Sequence, residues 1–367
     1  MTEAEFERQI WGRSTPSVRL SIQSQKDNRY REFDLIKAPL DNLRNHTFSF
    51  TLRKEMHNVG YVRFPSFYYA NPGSGDRSSG QDLATILLGF NTQQVNELVV
   101  DLRNNGGGSM QEAIDLAGFF VDYGPLFMTS SREYPDGRLE KDTKKGRLFR
   151  GKVIWLVNNR TASAAELVAA TLKHYPNQLV VGSDTFGKAT GQLIYPLSYS
   201  SMGKPFGMVK VTMIKIFDID GSSYQRNGVK PDIMVADNDP FNFTGEDTYS
   251  NYLKNGSLNK SFAPKKRRQL DVEVLKAKLK HLSPFKESTV GYEFNDGFHV
   301  PLEIKGFQQF IKDAAEKERT MCSIEIIDQE LDEVFKPTSS RIKASLASDH
   351  LISAAFDIFD QWNLIEP

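Results

Sequence analysis

Apolar runs of strand length alternate with helical segments through the middle of the chain, and this alternation most constrains the fold. The runs are VGYVRF, ELVVDL, KVIWLV, QLVVGS and MVKVTMIKIF, starting at Val59, Glu97, Lys152, Gln178 and Met208. Helical patterns begin between them, near Gln81, Met110 and Ser163. Buried strands that alternate with helices are typical of an α/β layered core. We therefore predict such a core over residues 39–239.

The segments on either side of this core have different patterns. Residues 1–38 contain one short amphipathic helix pattern, TEAEFERQIWG, and two strand-like runs, SVRLSIQ and REFDLIKA. These are too few elements for an independent domain. Residues 240–367 are polar at first and then mostly helical, with a last helix expected near Ser340–Trp362. The sequence thus predicts three parts.

Charge and cysteine content argue against several classes of function. The 46 basic residues balance 46 acidic ones, so no net charge attracts nucleic acid or an anionic membrane. The single cysteine, Cys322, excludes an internal disulfide and a cysteine-rich metal site. No apolar run is long enough to span a membrane, and the start MTEAEFERQI has no signal-peptide pattern. We expect either a protein that stays inside the cell or a chain that begins within a longer one.

A lone serine, Ser163, stands in NNRTASAAE, where the KVIWLV strand gives way to a helix. A helix start offers unpaired N–H groups and a partial positive charge to a developing oxyanion. Small neighbours also leave room for a substrate backbone. Ser163 is therefore a candidate nucleophile. An ordinary helix cap is the alternative, and position alone does not decide between them.

A base for this serine has to come from elsewhere in the chain. His174 lies eleven residues further along the same predicted helix, about 16 Å away at 1.5 Å per residue. Lys188 follows the next strand, between two glycines in VVGSDTFGKATGQ. A buried lysine can be neutral near neutral pH and accept a proton, whereas a solvated loop lysine cannot. A third segment, DLRNNGGGSM, is suited to presenting bare N–H groups to an anion, although it lacks the spacing of a nucleotide-binding loop.

VDLRNNGGG, RTASAAE and VVGSDTFGKATGQ, in this order and spacing, resemble the carboxyl-terminal processing proteases, also called tail-specific proteases. GSSYQRNGVKPDI is similar to the segment that ends the protease core in that family, and VGYVRFPSFY to the segment that begins it. The separation of 25 positions from Ser163 to Lys188 matches the family's serine-to-lysine spacing.

The resemblance implies a layered α/β protease core of the crotonase-like type and a serine–lysine mechanism. Ser163 would be the nucleophile, Lys188 the general base and Gln192 the residue that orients the lysine. Backbone N–H groups of Gly107 and Ala164 would form the oxyanion hole. The implied substrates are proteins or peptides, cleaved near their C-termini. The implied location is the cell envelope, and no metal or cofactor is implied.

The chain departs from this family at its front, where members typically carry a complete PDZ domain. Residues 1–38 resemble only the last helix and strands of one. The alternative function is therefore a catalytically impaired peptide-binding or scaffold protein on the same fold. A hydratase on a related fold would also use a glycine-rich oxyanion site, but no motif supports it. Phe186 and Tyr195 could line a specificity pocket or belong to the core. The sequence does not indicate an oligomeric state.

Overall fold

The computed structural model describes residues 16–23, 30–36, 46–54, 57–70, 77–198, 207–235, 245–262, 271–280, 325–327, 346 and 349–366. The chain divides into two compact units, residues 1–44 and 45–367. In the first unit, β1 (Ser17–Gln23) and β2 (Tyr30–Ile36) form an antiparallel pair. This confirms the two predicted strands. The predicted amphipathic helix lies outside the described residues, and the PDZ-like origin of this segment stays a prediction.

The second unit mixes strands and helices. Its strands are β3 (Phe48–Lys54), β4 (His57–Arg63), β5 (Glu97–Asp101), β6 (Gly124–Ser131), β7 (Arg138–Asp142), β8 (Lys152–Val157), β9 (Gln178–Gly182), β10 (Thr190–Pro196), β11 (Met208–Phe217), β12 (Ile233–Met234) and β13 (Glu325–Ile327). Its helices are α1 (Ser79–Thr92), α2 (Met110–Gly118), α3 (Ala164–Leu172), α4 (Val272–Leu279) and α5 (His350–Ile365), with a 3₁₀ turn at Glu246–Thr248. None of these helices has both the length and the apolar content of a membrane span.

Two sheets organise this unit within the described residues. The larger has the strand order β12-β9-β8-β5-β4-β3-β13. Neighbours from β12 to β4 are parallel, and β3 and β13 join antiparallel. The smaller sheet, β10-β11-β6-β7, is antiparallel. The strands and helices predicted for the middle of the chain are all present, so the predicted α/β fold class is confirmed.

The central strands of the larger sheet are apolar at successive positions. Because successive strand residues point to opposite sides, both faces of this sheet are apolar. Val100 and Trp155 face a core completed by α1, α2 and α3. Val99 and Ile154 face a second core, completed by α4 and α5. Each face therefore requires its own layer of helices.

Described residues beyond position 240 pack against the same sheet as the residues before it, and the division predicted at residue 240 stays a prediction. Helix α5 packs on the second face of the sheet and buries Phe356, Phe359 and Trp362. Residues 245–262 also bond to the core; for example, the Leu258 N–H donates to the Gly221 carbonyl. The reason is that one sheet face would stay exposed without helices from the end of the chain.

Candidate active site

The three segments singled out in the sequence follow three neighbouring parallel strands. The glycine-rich loop follows β5, Ser163 follows β8, and Lys188 follows β9. The carboxyl ends of neighbouring parallel strands lie at the same edge of a sheet, where α/β proteins commonly place their sites. The topology therefore brings the predicted site segments together.

Ser163 has a backbone conformation unlike that of an ordinary helix cap. Its φ is 59° and its ψ is −118°, whereas the cap residues Ser78 and Ser109 are extended and accept capping hydrogen bonds from Gln81 and Glu112. Ser163 and Glu166 are placed as in a capping box, but only the bond from the Ser163 N–H to Glu166 has ordinary hydrogen-bond geometry, at 2.8 Å. A positive φ is rare for a residue with a side chain, and such strain is concentrated at functional sites. The cap interpretation does not account for this conformation.

Gly107 packs directly against the turn that holds Ser163. A Cβ at position 107 would lie 2.8 Å from the Ser163 Cβ, the Ala164 nitrogen and the Ala162 carbonyl oxygen. Its φ of 96° also favours glycine. Only glycine therefore allows the loop and the serine turn to approach this closely.

Asn105 connects the same two segments through hydrogen bonds. Its carbonyl accepts from the Ala162 N–H at 2.9 Å, and its Oδ1 accepts from the Gly107 N–H at 2.8 Å. The Gly107 N–H, predicted as an oxyanion donor, is thus already engaged. Ala164 is the first residue of α3, where no carbonyl within the helix can accept its N–H. Of the two predicted donors, Ala164 is the one whose N–H has no acceptor within its own helix, and its role as an oxyanion donor stays a prediction.

The buried Glu166 carboxylate holds Ser163 and Lys188 together. Its Oε2 accepts from the Ser163 N–H and the Lys188 N–H, each at 2.8 Å. The two backbone nitrogens are therefore separated by at most twice that distance. Its Oε1 accepts from the Thr185 hydroxyl at 2.5 Å and the Gly187 N–H at 2.7 Å. One carboxylate thus fixes both ends of the proposed nucleophile–base pair.

Two opposing effects set the pKa of Glu166. Burial raises the pKa, and the hydrogen bonds from Thr185, Gly187, Lys188 and Ser163 lower it. The net result of both effects is a rise from 4.5 to about 7. Desolvation penalises the charged form, and here its effect exceeds that of the donors. Glu166 therefore changes its charge near neutral pH.

Lys188 is half-buried, and its surroundings favour the neutral amine. Burial and the nearby Lys210 lower its pKa, while Glu246 and Glu166 oppose this effect. Within the part of the chain that the structure describes, no side chain forms a hydrogen bond to the Lys188 Nζ. A half-buried lysine with a lowered pKa has the property required of a general base.

Lys188 opens into a cleft of about 350 Å³, lined by Phe186, Lys188, Thr190, Gln192, Thr212, Glu246, Tyr249, Asn251, Tyr252 and Leu253. Gln192 also lines this cleft, and its amide donates to Thr190 at 2.9 Å and Thr212 at 3.4 Å. The expected hydrogen bond from Gln192 to Lys188 is not formed, and Gln192 lies opposite Thr212 beside an irregularity in the pairing of β10 with β11. Phe186 lines the cleft, whereas Tyr195 is exposed and does not.

His174 takes no part in this arrangement. Its Nε2 lies 2.7 Å from both carboxylate oxygens of Asp218. His174, Asp218 and Asp220 each place one possible metal ligand within 4.8 Å of the others. Asp218 is paired with the imidazole, and Asp220 accepts from the Ser222 hydroxyl at 2.6 Å. These bonds account for the cluster without an ion.

Sequence reasoning did not assign roles to Glu166 or Asn105. The S-x-x-E spacing of Ser163 and Glu166 is the pattern of a surface helix cap. It does not indicate that the carboxylate is buried or that it reaches the loop at residues 185–188. Asn105 lies in the glycine-rich segment, but its contact with Ala162 depends on the packing of β5 beside β8.

Comparisons with known proteins show which proteins this chain is similar to. Residues 58–235 match the model of peptidase family S41. A tail-specific protease from Haemophilus influenzae is 30% identical over 251 residues, which cover 66% of this chain and 34% of that protein. A carboxy-terminal processing protease from Bacillus subtilis is 31% identical over 189 residues, covering 50% of this chain and 37% of that protein. The chain thus spans about a third of the length of these relatives.

A solved structure with a similar fold is that of the photosystem II D1 C-terminal processing protease. It is 24% identical, with a TM-score of 0.44, and the match covers 60% of this chain and 55% of that one.

Proposed function

We propose that this chain, whose residues 58–235 match the model of peptidase family S41, is a serine endopeptidase that cleaves protein substrates near their C-termini through a covalent acyl-enzyme. The observation that carries the proposal is the Glu166 carboxylate, which binds the backbone of both Ser163 and Lys188. This arrangement holds a nucleophile and a base in one place.

In the first half of the reaction, the neutral Lys188 amine accepts the Ser163 Oγ proton as the oxygen attacks the scissile carbonyl. The carbonyl oxygen becomes an oxyanion, stabilised by the Ala164 N–H and the positive end of α3. A contribution from the Gly107 N–H requires that it share or release its bond to Asn105. When the C–N bond breaks, the Lys188 ammonium returns the proton to the leaving amine.

In the second half, water attacks the Ser163 ester. Lys188 accepts the proton of the water and then returns it to the Ser163 oxygen, which releases the new carboxyl terminus. Gln192 lies in the same cleft, and a rotation of its side chain would be needed for it to orient Lys188. We also propose that the peptidase works in the cell envelope, as the sequence resemblance implies. Cell fractionation tests this location.

The test of the mechanism is kcat/KM against pH on one unstructured peptide. Ser163→Ala and Lys188→Arg should each lose at least about 10³-fold, because arginine keeps the charge but cannot release its proton. Wild-type activity should rise with pH through an apparent pKa below that of free lysine. His174→Gln is the control and should keep its activity per folded molecule, and Gln192→Ala should lose an intermediate amount.

An active Lys188→Arg enzyme would remove the lysine from the mechanism. A His174→Gln enzyme as inactive as Ser163→Ala would return the histidine to consideration. If the wild-type chain binds the peptide without cleaving it, the scaffold alternative is correct.

A further inference from the structure

The start of helix α5 is bonded to the turn that precedes the glycine-rich loop. Asp349 is the N-cap of α5, and its Oδ1 accepts from the Leu351 N–H at 2.9 Å and the Ile352 N–H at 3.4 Å. The same carboxylate accepts two hydrogen bonds from the Arg103 guanidinium, at 2.6 and 3.1 Å. The side chains of Arg103 and Asp349 are only 13% and 15% exposed. This is a bidentate, largely buried ion pair between residues 246 positions apart.

Arg103 is held equally firmly on its other side. Its Nη2 and Nε donate to the Asp101 carboxylate at 2.8 and 3.0 Å, and its backbone N–H donates to the same group at 2.9 Å. Arg63 pairs with Asp101 at 3.1 Å, and the Tyr61 hydroxyl donates to it at 2.8 Å. The guanidinium is therefore clamped between two carboxylates, so its position depends on both.

Arg103 lies in the turn that leads to Asn105, and Asn105 contacts the segment that contains Ser163. Arg103 and Asn104 are the central residues of a turn closed by the Asn105 N–H and the Leu102 carbonyl at 3.1 Å. Asn104 has a φ of 62°, and a positive φ at the third position is a feature of type II turns. Asn105 then bonds to the Ala162 N–H and the Gly107 N–H. A shift of the turn would move both sides of the proposed oxyanion hole.

We propose that Asp349, at the start of the C-terminal helix, is a positioning residue for the oxyanion hole and acts through Arg103. The catalytic part of this inference rests on the proposed function. Asp349 lies outside residues 58–235, which match the family model. The end of the chain thus adjusts the site from beyond the peptidase segment, in addition to covering the sheet.

Asp271 provides a matched control. It is the N-cap of α4 and accepts from the Glu273 N–H and the Val274 N–H at 3.0 and 3.3 Å, as Asp349 does on α5. It forms no ion pair with an arginine within the described part of the chain. Asp271→Ala therefore removes a helix cap without touching the glycine-rich loop.

The experiment compares Asp349→Asn, Asp349→Ala and Asp271→Ala in the full chain. Asparagine also caps helices well, so Asp349→Asn keeps the cap but loses the charge and the hydrogen bond that Oδ2 accepts from Arg103. We expect its kcat to fall about 10- to 100-fold, as for a small misplacement of catalytic groups, with KM within about threefold. Asp349→Ala should lose as much kcat and melt at a lower temperature. Asp271→Ala should melt lower and keep its kcat.

Hydrogen exchange of the segment 102–109 gives a readout that does not depend on catalysis. It should become faster in Asp349→Asn, whereas exchange in β8 should not change. Unchanged exchange in 102–109, a wild-type kcat in Asp349→Asn, or an equal kcat loss in Asp271→Ala would overturn the proposal. If the wild-type chain cleaves no peptide, the proposed function fails, and the exchange measurement still decides whether Asp349 positions the loop.

Discussion

Replacing Glu166 with glutamine tests how the site is held together. Glutamine has nearly the same shape, but only one of its two terminal atoms accepts hydrogen bonds. In the wild type, each carboxylate oxygen accepts two, at 2.5–2.8 Å. The glutamine NH₂ must therefore face either the N–H groups of Ser163 and Lys188 or the donors of Thr185 and Gly187. In both orientations, two buried donors lose their acceptor.

The size of the effect follows from two opposing contributions. A buried donor left without a partner costs about 1–3 kcal/mol, so two cost about 2–6 kcal/mol. Removing the buried charge offsets part of this loss. Raising the Glu166 pKa from 4.5 to about 7 corresponds to about 3 kcal/mol. The net change in stability above pH 7 should therefore be at most about 3 kcal/mol. Removing the charge does not restore the positions of Ser163 and Lys188, so kcat should fall at least about 100-fold.

The stability of the wild type and the variant should differ in pH dependence. A carboxyl whose folded pKa is raised stabilises the fold fully below its unfolded pKa, and this contribution is lost as the pH rises through the folded pKa. The wild type should thus lose about 3 kcal/mol between pH 4.5 and about 7 from this group. Glu166→Gln should not. Chemical denaturation at pH 5 and pH 8 measures the difference.

Glu112→Gln is the matched control for activity. Glu112 occupies the same position of α2, after the cap Ser109, and accepts from the Gly80 N–H at 2.7 Å and the Ser79 hydroxyl at 3.1 Å. It does not contact the segments that hold the proposed dyad. Its kcat should stay within about threefold of the wild type. A Glu166→Gln enzyme with a wild-type kcat, or a Glu112→Gln enzyme that loses as much, would refute the reasoning.

Two further predictions concern the loop and the C-terminal helix. Gly107→Ala should lower kcat at least about tenfold, because its Cβ would lie 2.8 Å from the Ser163 Cβ; a variant with wild-type kinetics would argue against the close approach. His57 pairs with Glu97 at 2.5 Å and Asp360 at 3.2 Å. The bond to Glu97 raises the His57 pKa against the effect of burial. Its stabilisation is complete below about pH 6.5 and is lost as the pH rises through the folded pKa. His57→Gln should therefore weaken the fold at pH 6 more than at pH 9, as measured by denaturant titration.

The central strands could be predicted because they are buried on both faces. Strands β5, β8 and β9 read as short, nearly continuous apolar runs for that reason. Strand β10 was not predicted, since it contains glycine and proline and only one of its seven residues is buried. The periodicity near the end of the chain indicated helix α5, but contained no information on which sheet face it covers. That contact joins segments about two hundred residues apart.

The candidate site was likewise predictable only in part from the sequence. The sequence placed Ser163, Lys188 and the glycine-rich loop each after a predicted strand. The structure shows that these strands are parallel neighbours, so that the three segments lie at one sheet edge. The burial of Glu166 and its bonds to residues 185–188 depend on tertiary packing, which no local pattern records. The same holds for Asp349, whose sequence context indicates only a helix cap. The Gln192 amide donates to Thr190 and Thr212 instead of contacting Lys188, a choice of partners that the motif does not indicate.

The measurement that tests the central claim most directly is acyl-enzyme trapping. The full chain is mixed with an activated peptide ester, quenched in acid and mapped by mass spectrometry. We predict a burst equal to the enzyme concentration, with the acyl group on the peptide that contains Ser163. The burst rate should fall at least about 100-fold in Lys188→Arg, because the base can no longer accept the proton. An acyl group on another residue, or an undiminished burst in Ser163→Ala or Lys188→Arg, would contradict the account.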